Sequence, residues 1–362
     1  MRVQLVVAPH DQSRSWTVLD DDLRVLVPVE AYLAHLTAIG RSPNTVRAYA
    51  HDLKDFFTYL RRCDLRWHAI KLEDVGRFIP WLALSDDARR GGSGVVALRA
   101  SRCSAVTVNR KLAAVSGFYE FHSRHGVTLA ESLSAWQRRG QLAGSWKPFL
   151  AHLDDNSSPV RKRLIALKTD RHDPRALTEE QVKAIIDACQ RLRDRFLFTL
   201  LRWSGLRIGE ALGLRHEDLN PRRCEVAVRL RANANQARAK TRSRVVPVPP
   251  EVLALYSDYL HEEYGAFDSD YVFVNLWGRP AGTAMTYSAV NSLVGRVRTQ
   301  TGMRFTPHEF RHTYATELLR RGVSAEIVRV LMGHSSVSTT VDTYGHLTAD
   351  DTRRELQKAG AL

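Results

Sequence analysis

The chain has 362 residues, 44% of them apolar, and its 53 Lys and Arg outnumber its 39 Asp and Glu, a formal charge of +14. That length suits two domains, and that apolar fraction excludes wholesale disorder. A basic excess of this size favours a polyanionic partner, because each neutralised phosphate releases a condensed counterion; a soluble protein that is merely basic is the plain alternative.

Cys63, Cys103, Cys189 and Cys224 are far apart and form no CxxC, so zinc-ligand spacing is absent and a disulfide framework is not expected. Met1–Asp22 lacks the uninterrupted apolar run and cleavage site of a signal peptide, and no stretch approaches a membrane span. The expectation is a reducing, cytoplasmic location with no membrane partner.

Residues 1–25 mix charged and apolar positions without a clear period and are read as an N-terminal extension. Val29, Tyr32, Leu33 and Leu36 then recur at helical spacing, with Gly40 as a stop. Ser42 stands as N-cap with Pro43 at the first helical position. Behind it Val46, Tyr49, Leu53, Phe56, Phe57 and Leu60 form an apolar stripe, opposite Arg47, His51, Lys54 and Arg61. A third helix fits Leu72 to Leu84, with Val75, Phe78, Ile79 and Leu82 inward. Residues 85–102, rich in Gly and charge, read as a flexible loop. Helicity resumes at Ser104, with Val108, Leu112, Val115, Phe118 and Tyr119 on one side, Arg110 and Lys111 on the other, and Gly126 as the end. Residues 26–125 therefore read as a compact four-helix domain.

Residues 126–175 are punctuated by Gly and Pro and dense in Arg and Lys, an interdomain linker with a short helix around Leu133 to Arg138. It reads equally as a solvated charged loop or as a strap across a DNA backbone. The second domain, 176–350, opens on a capping box, Thr178-Glu179-Glu180-Gln181. A helix from about Asp194 to Trp203 is interrupted by Ser204-Gly205, and Arg207 begins another. The period then turns to alternation in Glu225–Leu230, Arg244–Val248 and Tyr271–Val274, three short strands of a small antiparallel sheet, with Pro247 marking an edge. A long basic connection, Arg231 to Arg242, joins the first two. Helices follow at Tyr287–Thr301, Pro307–Arg320, Ser324–Met332 and Ser338–Tyr344, and 351–362 form a tail.

The reactive side chains gather late in the chain. Thr306-Pro307 reads as an N-cap followed by Pro, and Glu309 completes a capping box. His308 then sits in a first helical turn, a natural anion site, and Arg311 shares its face. Phe310, Tyr314 and Leu318 make a neighbouring core stripe. Leu331-Met332-Gly333-His334 and Asp342-Thr343-Tyr344 follow, and Gly205-Leu206-Arg207-Ile208-Gly209-Glu210 contributes an earlier guanidinium. Taken singly, such a His or Arg is most often a solvated surface residue, and such a Tyr core or interface. Several ordered matches outweigh those readings.

In these residues the chain resembles the tyrosine recombinases, the phage-integrase family: Arg207, Lys240 ahead of Arg244-Val245-Val246-Pro247, His308-x-x-Arg311, His334 and Tyr344 stand in that family's order. Leu36 to Leu60 is similar to the family's helical core-binding domain, and Asp268–Val274 with the basic hairpin resembles transposon-encoded integrases more weakly. The resemblance implies a mainly α fold with a small antiparallel β-sheet: a SAM-like N-terminal core-binding domain and an α+β catalytic domain. It implies a site-specific recombinase that cleaves and rejoins double-stranded DNA for integration, excision or transposition of a mobile element. The protein would be a monomer or dimer off DNA and a homotetramer on paired sites.

Two guanidiniums can chelate the non-bridging oxygens of a phosphodiester in fixed planar geometry, and Arg207 and Arg311 are the candidates. His334 adds a donor, His308 is the candidate base, and Tyr344 is the nucleophile, its phenol activated by the positive surroundings. Lys240 is the candidate acid for the leaving 5′-oxygen, with Arg242 or Arg238 as alternatives. The resemblance implies that Glu210 supports the site by orienting neighbouring basic groups; the plain alternative is a helix salt-bridge partner. His312, about a hundred degrees from Arg311 around an ideal helix, is set aside, as are His346 and the core-facing Tyr314. No metal, ATP or other cofactor is expected. Two other activities remain in play: nicking and closing of one strand, as by a type IB topoisomerase, and DNA binding without catalysis.

Overall fold

A computed structural model of the chain describes residues 1–7, 14–84, 103–124, 134–137, 160–163, 165–168, 175–239, 242–277 and 280–333. The chain divides into two compact units, Met1–Asp170 and Arg171–Leu362.

The first unit opens with a hairpin where no period was expected. Strand β1 (Arg2–Val7) pairs antiparallel with β2 (Arg14–Leu19), Arg2 opposite Leu19 and Val7 opposite Arg14. Val18 is fully buried in the helical core beside it, so the hairpin is part of the domain rather than an extension. Helices α1 (Val27–Ala38), α2 (Pro43–Arg62), α3 (Leu72–Ala83) and α4 (Ala105–Ser123) follow. Ser42 caps α2 by accepting from the Thr45 N–H at 3.2 Å, and Ser104 caps α4 from Thr107 at 3.3 Å. Their apolar stripes meet in an aromatic centre, with Phe56 edge-on to Phe78 at 5.2 Å and Phe57 to Phe118 at 5.6 Å between ring centroids.

Lys111, assigned to the polar face of α4, is instead buried. It donates to Asp55 at 2.6 Å and to the fully buried Asp52 at 3.2 Å, and Arg110 pairs with Asp52 as well. A cation can sit there only because two carboxylates of α2 receive it. The helix expected around Leu133 to Arg138 is a strand, β3 (Ser134–Gln137), paired antiparallel with β4 (Val160–Arg163). Residues 165–168 of the basic linker pack on the first core through Ile165 and Leu167, and Arg175 is described as well; the remainder of the linker, the 85–102 loop and Gly126 lie outside the described residues.

The second unit is organised around α6 (Leu192–Ser204), which follows α5 (Glu179–Asp187). The expected capping box is present at α5: the Thr178 N–H donates to Gln181 Oε1 at 3.1 Å, and the Gln181 N–H to Thr178 Oγ1 at 3.3 Å. Helix α6 is buried on most sides, with Phe196, Leu197, Phe198, Leu200 and Leu201 fully buried and the charges of Arg193, Asp194 and Arg202 buried as ion pairs, as befits a helix inside a core. Gly205 ends it in the left-handed conformation, φ +60°, and the short helix α7 (Ile208–Ala211) follows at once.

The sheet orders β5 (Leu219–Asn220), β6 (Glu225–Val228) and β7 (Arg244–Pro247), all antiparallel. Pro247 stands on an edge strand, as expected. Tyr271–Val274 is not the third strand. Val272, Phe273 and Val274 are all fully buried, and the backbone makes only isolated bridges, Tyr271 with Arg215 and Val274 with Ala284. The three are buried in succession, so the in–out alternation expected of this stretch is absent.

Helix α8 (Pro250–Tyr259), continued by one π-helical turn (Leu260–Tyr264), was not anticipated. Its prolines are a start signal rather than a break, because Pro250 occupies the first turn. Helices α9 (Tyr287–Thr301), α10 (Pro307–Arg320) and α11 (Ala325–Met332) fall where the pattern put them. The expected helix Ser338–Tyr344 and the tail 351–362 lie outside the described residues. Among the described residues no helix is long and apolar enough to cross a membrane.

Candidate active site

The site is built on the junction of α6 and α7 and on the first turns of α10. Arg207 is the N-cap of α7, and its N–H donates to Glu210 Oε2 at 2.9 Å while its Nη1 donates to Glu210 Oε1 at 3.1 Å. The Glu210 side chain is fully buried, that of Arg207 26% exposed. Glu210 therefore faces inward and Arg207 partly outward from a single helical turn.

Arg311 lies on the buried face of α10 and is itself only 1% exposed. Its Nη1 donates to the Gly205 carbonyl at 2.7 Å, its Nη2 to the Met332 carbonyl, and Nη1 stands 3.9 Å from Glu210 Oε2. The left-handed turn at Gly205 is what aims that carbonyl at Arg311. A side chain at Gly205 would run into the Tyr314 ring and come to 3.1 Å from Met332 Sδ.

Arg244, at the start of β7, joins the group. It approaches Glu210 end-on, Nη1 to Oε1 at 3.1 Å and Nη2 to Oε2 at 2.7 Å, and its Nε donates to the Leu331 carbonyl at 2.7 Å. Three guanidiniums thus converge on the Glu210 carboxylate. Burial pushes the Glu210 carboxyl up, but bonding and charge from Arg244, the Arg207 backbone N–H and Arg311 outweigh it and hold the carboxyl below its usual range. Sequence reasoning placed Arg244 only as the start of a strand. The available signal was alternation: Arg244 shares its face with Val246 and Val248, both buried, and an inward Arg needs a buried anion.

His308 sits in the first turn of α10 with its surface exposed on one side, its ring 4.3 Å from that of His312 and nearly perpendicular to it. Burial, then the charges of Arg311 and Arg207, lower its pKa below the ordinary imidazole value of 6.5. It is therefore neutral near pH 7. The Thr306 cap departs from expectation. Its hydroxyl makes no capping bond to the backbone and instead donates to Glu309 Oε1 at 3.5 Å. Tyr314 is buried against the same helix pair, and burial raises its phenol pKa.

The connection between β6 and β7 is fastened at its base. Arg231 pairs with Glu217 at 2.9 Å and with Asp218, and Asn235 Nδ2 donates to the Leu212 and Met285 carbonyls at 2.9 and 2.8 Å. A side chain at Gly209 would strike the Tyr287 hydroxyl and come to 3.2 Å from the Arg238 carbonyl, so a glycine there lets the connection lie against α7. The structure therefore brings together Arg207, Glu210 and Arg311, with His308 within reach of their charge. Lys240, His334 and Tyr344 lie outside the described residues. Among the described residues no cluster of three or more His, Cys, Asp or Glu is placed to hold a metal ion.

The model of the phage integrase family matches residues 175–351, and that of the phage integrase N-terminal SAM-like domain matches residues 29–126. Transposase A from transposon Tn554 of Staphylococcus aureus is 33% identical, over 99% of this chain and 98% of its own length. Tyrosine recombinase XerA of Pyrococcus furiosus is 25% identical over 92% and 94%. Among solved structures, the Tn1549 transposon integrase in complex with a circular intermediate DNA shares the fold, with a TM-score of 0.60 at 18% identity over 91% of this chain and 99% of that one. The chain belongs to the phage integrase family and is a site-specific recombinase of the tyrosine type.

Proposed function

We propose that this recombinase cleaves and rejoins double-stranded DNA through a 3′-phosphotyrosine at Tyr344, without metal or ATP, to move a mobile element. The observation that carries the reading is the convergence of Arg207 and Arg311 on one buried carboxylate, with the neutral imidazole of His308 beside them. A phosphodiester is already anionic, and its transition state gathers more charge on the non-bridging oxygens. Fixed guanidiniums in a low-dielectric site stabilise that charge without reorganising. Arg207, partly exposed, presents its outward side to an incoming phosphate, and Arg311 supplies a second positive charge held by two backbone carbonyls.

In the proposed step the Tyr344 oxygen attacks phosphorus, and the bond from phosphorus to the 5′-oxygen breaks. The phenolic proton goes to His308, and the leaving 5′-oxygen takes a proton from Lys240, or from Arg238 or Arg242 of the same connection. His334 donates to the phosphate. The phosphotyrosine conserves the bond energy, so attack by the 5′-hydroxyl of a partner strand reseals DNA in a new connection. Exchange between two duplexes then calls for four protomers. The Tn554 and Tn1549 relatives, named for transposons, support the mobile-element reading, and DNA in solved complexes of similar fold supports a DNA partner.

Two duplexes carrying cognate sites and distinct labels test the reading. Exchange of labels, unaffected by EDTA, is expected. Relaxation of supercoils without exchange would favour a topoisomerase, and loss of cleavage in EDTA would refute the metal-free step.

A further inference from the structure

We propose that Arg244 is a positioning residue for the phosphate-binding arginines: by occupying one side of Glu210 it keeps Arg207 from being drawn fully onto that carboxylate, and by holding the Leu331 carbonyl it fixes the end of α11. The proposal rests on the reading that Arg207 and Arg311 bind the phosphate.

The argument starts from acceptor capacity. A carboxylate offers about four lone-pair positions. Among the described residues four hydrogen bonds reach Glu210, from the Arg207 N–H, Arg207 Nη1, Arg244 Nη1 and Arg244 Nη2, two of them from Arg244. With Arg244 in place, the guanidinium of Arg207 meets Glu210 through Nη1 at 3.1 Å, while Arg244 takes the end-on position. Without it, two acceptor positions on a fully buried carboxylate fall vacant. A buried anion does not stay under-satisfied when a cation is adjacent. Arg207 then turns inward, and its charge is spent on Glu210 rather than on DNA.

The other end of Arg244 matters to the same site. Its Nε holds the Leu331 carbonyl at 2.7 Å, and Arg311 Nη2 holds the next carbonyl, Met332. Two arginines thus grip successive carbonyls of the last turn of α11, immediately before Gly333, which turns the chain at φ +62°. His334 is the next residue in sequence. Arg244 also begins β7, the strand that follows Lys240 in sequence. It is the residue through which the strand hairpin, the α7 turn and the end of α11 are joined. A lysine cannot replace it, because a single ammonium cannot make the end-on pair and the carbonyl bond in one plane.

The test uses the full-length protein and a nicked suicide duplex carrying the cognate site. Covalent adduct formation, DNA affinity and thermal midpoint are measured for Arg244→Lys, Arg244→Met, and each combined with Glu210→Gln. Both single variants should slow adduct formation about ten- to a hundredfold, as when a partner that orients a functional group is lost, with DNA affinity within about threefold. Glu210→Gln should restore at least about threefold of the lost rate in the Arg244→Lys background, because a neutral amide no longer draws Arg207 inward. A purely structural role predicts no such rescue. Should Arg244→Met fail to fold, the lysine pair still decides. Cleavage by Arg244→Lys within twofold of wild type, or no rescue by Glu210→Gln, overturns the proposal. Tyr344→Phe serves as the control: adduct formed by that variant would overturn the underlying phosphotyrosine reading instead.

Discussion

Gly205→Ala tests the link between one backbone conformation and the whole site. Two costs add. An L-residue at φ +60° is strained by about 1–2 kcal/mol. The new Cβ also meets the Tyr314 ring and lies 3.1 Å from Met332 Sδ, and both residues are buried, so neither can swing into solvent. Overpacking of that kind costs about 1–3 kcal/mol. The total, about 2–5 kcal/mol, is a large part of a typical domain's stability of about 5–15 kcal/mol. Gly302→Ala is the internal control. Gly302 has φ +68° and nothing within 4 Å of a built Cβ, so only the strain applies. Guanidinium denaturation of both variants, followed by circular dichroism, isolates the packing cost as their difference. Because the Gly205 carbonyl receives Arg311, cleavage by the folded Gly205→Ala protein should also fall more than its DNA affinity. Equal stability losses in the two variants, within about 0.5 kcal/mol, would refute the packing described around Gly205.

The remaining expectations concern protonation and capping. Burial and two neighbouring arginines depress the His308 pKa, so the single-turnover cleavage rate should hold constant as pH falls to 6.5 and decline only below it, and NMR titration of the free protein should place the His308 midpoint below 6.5. The sign for stability is the same: the unfolded chain binds that proton more readily, so this group costs stability only as pH drops below 6.5. A midpoint above 6.5 in the free protein would contradict the burial and charge assigned to His308. In the first unit, Ser42→Ala removes the cap bond to Thr45 and should destabilise that unit by about 1 kcal/mol in urea unfolding, with no change in the second.

What could be read from the sequence was what local chemistry decides. Ser42-Pro43, Ser104 and the Thr178–Gln181 box each announce a helix start through bonds spanning three residues, and those starts are where the structure has them. Arg207, Glu210, His308 and Arg311 were legible as an ordered set, but not the depth at which Arg311 lies. What escaped notice depends on distant partners. The β1–β2 hairpin forms because Val18 finds the helical core, and Lys111 is buried because α2 supplies Asp52 and Asp55. Tyr271–Val274 carries strand-like residues, yet its backbone bonds go to Leu214 and Met285 rather than to a ladder. Arg244 belongs to the same class: its role is set by Glu210 and Leu331, residues that no spacing rule connects to it.

The measurement that bears most directly on the account is identification of the residue that carries DNA. A suicide duplex trapped on the wild-type protein, digested and mapped by mass spectrometry, should place the phosphodeoxyribose on Tyr344, and Tyr344→Phe should yield no adduct while binding the same duplex. An adduct mapped to Tyr314 or any other residue, or one that persists in Tyr344→Phe, would contradict the assignment of nucleophile and the site built around it.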